Sequence, residues 1–329
     1  MNKEVLVTGG RPTGKMHLGH YIGAFKNFIE IQQCYNSFFI LSDIHMLTTA
    51  ARKKSIEAIW ENAVDMVIDV ISMGVDPRST TFYLQSNIPE MPYYYTLIQN
   101  FISIEKIYSM PSLINTINEM KENSALPSIS LGLLAYPVME AADVMLLEAD
   151  VVPVGKDNID HIEIAKIIVD AINKESNFVL KSPQWLSTEA NNILGIDGKK
   201  KMSKSLGNCI FVSDSIDEVS LKINQMPWEP VCTRENVIIK YIKIFAPESL
   251  VLEDDAQMVQ RGELYCKSFL LSIFESLLTK MQSRSKYYKE NRDEVEQLII
   301  NGTEQVRSIA IESLQKLKRG LGYNPQHCT

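Results

Sequence analysis

Two short stretches of the chain carry the residue types that could do chemistry. The first is Gly9-Gly10-Arg11-Pro12-Thr13-Gly14-Lys15-Met16-His17-Leu18-Gly19-His20, a glycine-rich turn running into two histidines three residues apart. Such a turn, leaving a strand and feeding a helix, exposes backbone N–H groups to an anion. At their spacing His17 and His20 share one face of the helix start, where each imidazole can donate to a phosphate oxygen. Gly19 between them lets a flat ring approach the backbone. The plainer alternative is a glycine turn beside two surface histidines. The stretch is neither HExxH nor a P-loop, and no third metal ligand accompanies the pair. The second stretch is Lys199-Lys200-Lys201-Met202-Ser203-Lys204-Ser205-Leu206-Gly207-Asn208. Lysines on a glycine-bracketed loop could close over a polyphosphate, or they could form a solvated charge run. Asp143 stands out separately. Its apolar flanks Ala141, Ala142, Val144 and Met145 point to a buried acid with a purpose, against the commoner helix-capping or ion-paired aspartate.

The elements that must position these residues alternate along the first half. Glu4–Thr8, Ser37–Leu41, Thr81–Leu84 and Val151–Val154 read as buried strands, separated by amphipathic helical stretches. One helix is expected to begin at His17 to His20 and run through Phe25, Phe28 and Ile31, another from Ile56 to Met73, and a third from about His161 to Ala171. Alternation of this kind implies an α/β fold, a doubly wound parallel sheet with helices on both faces. Ligands then bind beyond the carboxyl ends of the strands, which makes the loop after Thr8 the first place to look. Residues about 104–135 read as a helical insertion broken at Pro111 and Pro127, and from Ser182 to Asn208 the periodicity is lost. Ser215-Ile216-Asp217-Glu218 is a capping box. Beyond it Leu264–Lys280, Arg292–Ile300 and Val306–Leu317 read as helices, with Gly320 and Gly322 ending the last. The expected organisation is a sheet domain over 1–186, a mobile loop over 187–208 and a mostly helical domain over 209–329.

Composition bounds the class. A chain of 329 residues has a prior of about two domains at ~150 residues each. Lysine and arginine total 33 against 40 acids, so the net charge of −7 argues against a wholesale polyanion binder but not against local basic patches. The 45% hydrophobic content excludes disorder. The longest apolar stretch, Leu131–Leu147, is cut by Pro137, Glu140 and Asp143 and cannot span a bilayer; the N-terminus has no signal-peptide core. Five scattered cysteines (Cys34, Cys209, Cys232, Cys266, Cys328) without a CxxC pair indicate a reducing, cytoplasmic setting, with no disulfide framework and no cysteine zinc site.

His17-Leu18-Gly19-His20 followed much later by Lys201-Met202-Ser203-Lys204-Ser205 resembles the signature of the class I aminoacyl-tRNA synthetases. Leu134-Ala135-Tyr136-Pro137-Val138-Met139-Glu140-Ala141-Ala142-Asp143 and Val151-Val152-Pro153-Val154-Gly155-Lys156-Asp157-Asn158 are similar to segments of the bacterial-type tryptophanyl members. Tyr83-Leu84-Gln85-Ser86 and Ser42-Asp43-Ile44-His45 fit the same family. The resemblance implies a Rossmann-like catalytic domain followed by a helical domain that binds the tRNA anticodon. It implies activation of L-tryptophan with ATP to tryptophanyl-adenylate and pyrophosphate, then transfer to the 3′-terminal ribose of tRNA(Trp). The amino acid's own carboxylate attacks the α-phosphate, so the lack of a Ser-His-Asp or reactive-cysteine arrangement fits. Mg²⁺ would be held through the phosphates, with no protein-caged metal.

Carried onto this chain, the resemblance makes His17, His20, Lys201 and Lys204 catalytic. ATP would be bound by Arg11, Pro12, Thr13, Gly19, His20, Gly155, Lys156, Asp157, Ile193, Lys201, Met202, Ser203, Lys204 and Ser205. Tryptophan would be bound by Asp143, Tyr136, His45, Asn158 and Val7. Asp143 would accept the indole N–H, with an analogue lacking it rejected by ~10⁴–10⁵. Tyr136 would bind the α-amino group. Three positions depart from the family: Lys156 stands for an acid, Asn158 for Gln, and Glu140 for Met or Gln. Lys280, Arg284, Lys286, Lys289 and Arg292, with Tyr287 and Tyr288 interleaved, form a candidate tRNA-binding cluster or a solvated helix face. A homodimer is expected through Met91-Pro92-Tyr93-Tyr94-Tyr95 and the insertion. The alternatives are a tyrosyl-tRNA synthetase, a nucleotidyltransferase of the same fold, and a non-catalytic nucleotide-binding regulator.

Overall fold

The computed structural model describes residues 3–50, 53–122, 129–155, 159–176, 179–188, 193–229, 236–247, 249–250 and 253–323. Lys156, Asp157 and Asn158, expected in the site, and Pro127, expected to break the insertion, lie outside them. Five parallel strands form the sheet: β1 Val5–Gly10, β2 Asn36–Leu41, β3 Thr80–Leu84, β4 Val151–Gly155 and β5 Gln184–Thr188, in the order β3-β2-β1-β4-β5. Strands covered on both faces read as near-continuous apolar runs, and Ser37 to Leu41 of β2 are all buried. The doubly wound arrangement therefore stands, with its switch point between β1 and β4. These two strands pair only at Leu6↔Val151, although both continue, to Gly10 and Gly155. The site opens beyond that gap.

The helices of the first half are α1 Leu18–His20, α2 Lys26–Ile31, α3 Asp43–Ala50, α4 Lys53–Glu57, α5 Ile59–Met73, α6 Glu90–Ile98, α7 Ile104–Tyr108, α8 Pro111–Glu122, α9 Leu131–Leu146 and α10 Ile159–Glu175. Helix α5 buries every residue from Met66 to Met73 and stops at Gly74, whose φ of 125° suits only glycine. Helix α9 starts where the Ser130 hydroxyl accepts the Leu133 N–H. The second half contributes α11 Ile216–Gln225, α12 Val237–Phe245, α13 Asp255–Arg261, α14 Glu263–Glu290 and α15 Arg292–Gly320. The capping box forms as expected: the Ser215 hydroxyl accepts the Glu218 N–H, and the Glu218 carboxylate accepts the Ser215 N–H.

Four expectations need correction. Gly9 and Gly10 belong to β1 and pair with Ile40 and Leu41, so the turn begins only at Arg11. The helix expected to begin at His17 to His20 does so, at Leu18, but it passes through a π-helical stretch, Tyr21–Phe25, before α2. Strand β5 was not expected. It is an edge strand whose Gln184, Trp185 and Leu186 are exposed, so it carries no alternation, and the expected boundary at 186/187 falls inside it. The last two expected helices are one, α15, which continues through Gly302.

That glycine is where α15 meets the sheet. A Cβ there would stand 2.0 Å from the Phe82 carbonyl oxygen. Thr303 beside it accepts the Leu84 N–H at the end of β3. The helical half is therefore packed into the sheet domain. One buried cluster runs from Leu6, Phe39 and Phe82 through Val67 to Ile238, Tyr241, Phe274 and Ile299. Among the described residues no helix is long and apolar enough to cross a membrane.

Candidate active site

A cavity of about 640 Å³ opens at the switch point, with the carboxyl ends of β1 and β4 as its floor. Twelve expected residues line it: Val7, Arg11, His17, Gly19, His20, His45, Tyr136, Asp143, Gly155, Ile193, Lys201 and Met202; Glu140, one of the departures from the family, lines it too. Pro12, Thr13, Ser203 and Lys204 do not. Pro12 is buried in the loop, and the Ser203 N–H donates to Asn208 Oδ1. Lys204 Nζ donates to the Thr13 and Gly14 carbonyls and to Thr13 Oγ1, at 3.3–3.4 Å. Ser205 lies in the helical turn Lys204–Leu206.

The basic wall of the cavity is built from two elements distant in sequence. His17 and His20 stack with ring centroids 3.7 Å apart, and the His17 N–H donates to His20 Nδ1. That bond places the His20 proton on Nε2. Burial, then the neighbouring lysines, lowers His17 from 6.5 to about 4. Burial, then His17 and Lys204, lowers His20 to about 3. Both rings are neutral donors at pH 7, and the positive charge on this wall comes from the lysines. The backbone of His17 bridges to Phe211 and the Gly19 N–H donates to Met202 Sδ, which ties the histidine turn to the lysine segment. Gly19 serves this contact. Its missing Cβ would sit 2.8 Å from His17 Nδ1 and 3.3 Å from Met202 Sδ, so any larger residue would disturb this contact.

The deeper end is apolar, walled by Val7, Ile40, Val144, Val152 and Val154, with one carboxylate set in it. Asp143 is 6% exposed. His45 Nε2 donates to its Oδ2 at 2.9 Å, and Gln85 Nε2 donates to Oδ1 and Oδ2 at 2.9 and 2.8 Å. Burial pushes the carboxyl above its ordinary range, against the pull of these two donors. Gln85, expected either to line the pocket or to be a satisfied core residue, holds the acid from behind. Its Oε1 accepts the Ile44 and His45 N–H groups, so it fixes the start of α3, which carries His45, as well as the acid.

A second carboxylate stands one helical turn earlier on α9. Glu140 Oε2 accepts from His161 Nδ1 at 2.5 Å. His161 Nε2 faces Ser112 Oγ at 2.8 Å and Tyr136 Oη at 3.2 Å. Burial raises the Glu140 carboxyl, and facing His161, His45 and Arg11 lower it by more, leaving it below the usual range. Burial, then Glu140, pushes the Tyr136 phenol up to about 12. His161 was expected only as a helix start. The i, i+4, i+7 spacing of Tyr136, Glu140 and Asp143 was the available signal that all three share one face. Among the described residues no group of three His, Cys, Asp or Glu side chains could hold a metal ion.

The basic cluster is divided. Lys280, Arg284, Lys286 and Lys289 are exposed on α14. Arg292 is held by Glu61 at 2.6 Å and Asp65 at 2.7 Å, a tie to α5, and the Tyr287 hydroxyl donates to Glu294. Of the expected dimer stretch, Met91 and Tyr94 are core residues, while Tyr93 is exposed.

The profile of the tRNA synthetases class I (W and Y) matches residues 2–305. The chain is 33% identical over 336 residues to a tryptophan–tRNA ligase of Borreliella burgdorferi, covering 98% of this chain and 94% of that protein. It is 33% identical over 341 residues to a tryptophan–tRNA ligase of Chlamydia caviae, covering 98% and 96%. The structure is similar to that of tryptophanyl-tRNA synthetase from Campylobacter jejuni complexed with ADP and tryptophan. The TM-score is 0.81 at 26% identity, covering 97% of this chain and 99% of that one.

Proposed function

The chain belongs to the class I tRNA synthetases of the tryptophan and tyrosine group, and from that premise we propose that it is a tryptophan–tRNA ligase working at the cavity between β1 and β4. The observation that carries the choice of amino acid is Asp143. An indole has one N–H donor and an otherwise apolar body, and the aliphatic end of the cavity offers one held carboxylate, Asp143.

The reaction asks little covalent chemistry of the protein. The tryptophan carboxylate attacks the α-phosphorus of ATP and pyrophosphate departs, so catalysis rests on alignment and on stabilising charge. His17 and His20 supply neutral N–H donors to the phosphates. Lys201 and Lys204 supply the positive charge. ATP is taken with Mg²⁺ held by phosphate oxygens and water, an arrangement that needs no protein cage. The activated amino acid is then passed to the terminal ribose of tRNA(Trp). Lys280, Arg284, Lys286 and Lys289 are the proposed contacts to its backbone, and the helical part beyond residue 209 the proposed anticodon reader. Exposed Tyr93, Ile104, Tyr108, Ile114 and Leu131 support a dimer face on α6 to α9. The scattered cysteines support a cytoplasmic setting.

Pyrophosphate exchange measured with each of the twenty amino acids tests the reading. Exchange should depend on tryptophan, and a faster rate with tyrosine would overturn it in favour of a tyrosyl enzyme.

A further inference from the structure

Glu140 is a charge the indole does not need. It lies on the cavity wall with 34% of its side chain exposed there, while His161 behind it is 4% exposed. The two carboxylates on α9, Glu140 and Asp143, are three residues apart, a rise of ~4.5 Å along the helix. One amino acid can reach both.

The hydrogen bonds around His161 have a consistent direction. With the proton on Nδ1, the ring donates to Glu140 Oε2, and Nε2 is left to accept from the Ser112 and Tyr136 hydroxyls. The Tyr136 oxygen is itself contacted by the Ser112 and Thr116 hydroxyls. Glu140 has Oε1, for which no hydrogen-bond partner stands among the described residues. The buried imidazole thus aims one anionic acceptor, Glu140 Oε1, into the cavity. An ammonium group, with three donors and a full positive charge, is the group that satisfies it. The wall built on the histidine turn and the lysine segment is positive through Lys201. A zwitterion placed between that wall and Glu140 is turned so that its ammonium faces Glu140 and its carboxylate faces the nucleotide side.

Resting on the tryptophan reading above, we propose that Glu140, held by His161, is the acceptor for the substrate's α-ammonium group. It fixes which end of the amino acid faces ATP. Glu140 touches substrate; His161 is a positioning residue.

Two tryptophan analogues separate this role from a structural one. Tryptamine keeps the ammonium and lacks the carboxylate; indole-3-propionate keeps the carboxylate and lacks the ammonium. Each is titrated as a competitive inhibitor of tryptophan-dependent exchange against wild type, Glu140→Gln and Glu140→Met. Loss of one charge-assisted bond should weaken tryptamine by about 10- to 100-fold, while indole-3-propionate binds as well or better. Equal weakening of both analogues, or no change in either, would overturn the proposal. His161→Gln keeps a donor near Oε2 and should retain most of the preference for tryptamine, whereas His161→Ala should lose it. Identical behaviour of those two variants refutes the positioning role. Wild-type exchange run alongside keeps the readings apart. Its absence with tryptophan overturns the tryptophan assignment, whereas normal exchange with an unchanged analogue ratio overturns only the role of Glu140.

Discussion

Replacing the indole N–H by sulfur, in benzothienyl-alanine, probes Asp143 with almost no change of shape. A site whose buried polar group is left wholly unpaired rejects such an analogue by ~10⁴–10⁵. The structure makes that figure too large here. An ionised carboxylate has about four lone-pair positions, and two donors already occupy it: the Gln85 amide, whose Nε2 straddles Oδ1 and Oδ2, and His45 on Oδ2. The indole competes for the position left on Oδ1. With the analogue bound, Asp143 keeps its other partners, and the loss is one charge-assisted hydrogen bond, about 1.5–3 kcal/mol. That corresponds to roughly 10- to 150-fold at about 1.4 kcal/mol per decade. The assay is kcat/KM for pyrophosphate exchange with each substrate. Comparable values would show that Asp143 does not accept the indole proton. Rejection of 10⁴-fold or more, marked ~10⁴ by the unpaired case, would refute the argument from shared lone pairs. Gln85→Met supplies the internal check. Activity falls because the α3 start loses its acceptor, but the ratio between the two substrates should rise, since Asp143 then depends more on the indole.

Other consequences can be measured independently. Lys204→Ala should lower kcat and kcat/KM together by on the order of 10²-fold; a raised KM for ATP with unchanged kcat would contradict a role in the transition state. Because His17 and His20 are lowered to about 4 and about 3, neither should produce a limb near 6.5 in the pH profile of kcat/KM. The unfolded chain takes up protons on these rings below 6.5 while the folded chain does not, so stability should fall as pH drops from 6.5 toward 4. Melting temperatures that stay flat over that window, or the same fall in a His17→Asn/His20→Asn variant, would disprove the assignment. Gly302→Ala should cost about 3 kcal/mol by wedging α15 off β3, read as a lower denaturant midpoint; an unchanged midpoint would mean the contact can relax.

The sequence made the sheet legible wherever strands were covered on both faces. Ser37–Leu41 and Thr81–Leu84 are apolar runs because the fold buries them, and the structure extends each by one residue. Strand β5 gave no such signal, since its exposed side chains leave only backbone pairing with β4 to define it. In the site, the histidine and lysine stretches were readable because their residue types are unusual for a solvated surface. Contacts between distant segments were not. Nothing local says that Gln85 turns its amide toward Asp143, that Met202 caps Gly19, or that Arg292 is occupied by Glu61 and Asp65. The Glu140–His161 pair sits between these cases. Its helical spacing from Asp143 was visible, while its partner comes from α10 and needed the packed structure.

In the proposed reaction the lysine segment changes partners. Lys204 is held by three neutral oxygens on Thr13 and Gly14 at 3.3–3.4 Å, long for such bonds. Burial lowers its ammonium below the ordinary lysine value, a sign that the pocket lacks a full counter-charge for it. A phosphate oxygen supplies one, and charge-assisted bonds are about twice as strong as neutral ones. Exchange of partners is therefore favourable, and increasingly so as negative charge moves onto the departing pyrophosphate. The segment is also tied to the other wall. Met202 contacts Gly19, and Phe211 bridges to His17, so a shift of the lysines toward phosphate is transmitted to the stacked histidines. In the proposed mechanism the two stretches act as one clamp, joined through Met202 and Phe211. Substituting Met202 with alanine would leave every charged group in place and remove the side-chain half of that joint. A loss in kcat comparable to that of Lys204→Ala would show that the coupling matters; an unaffected kcat would show that the two walls act separately.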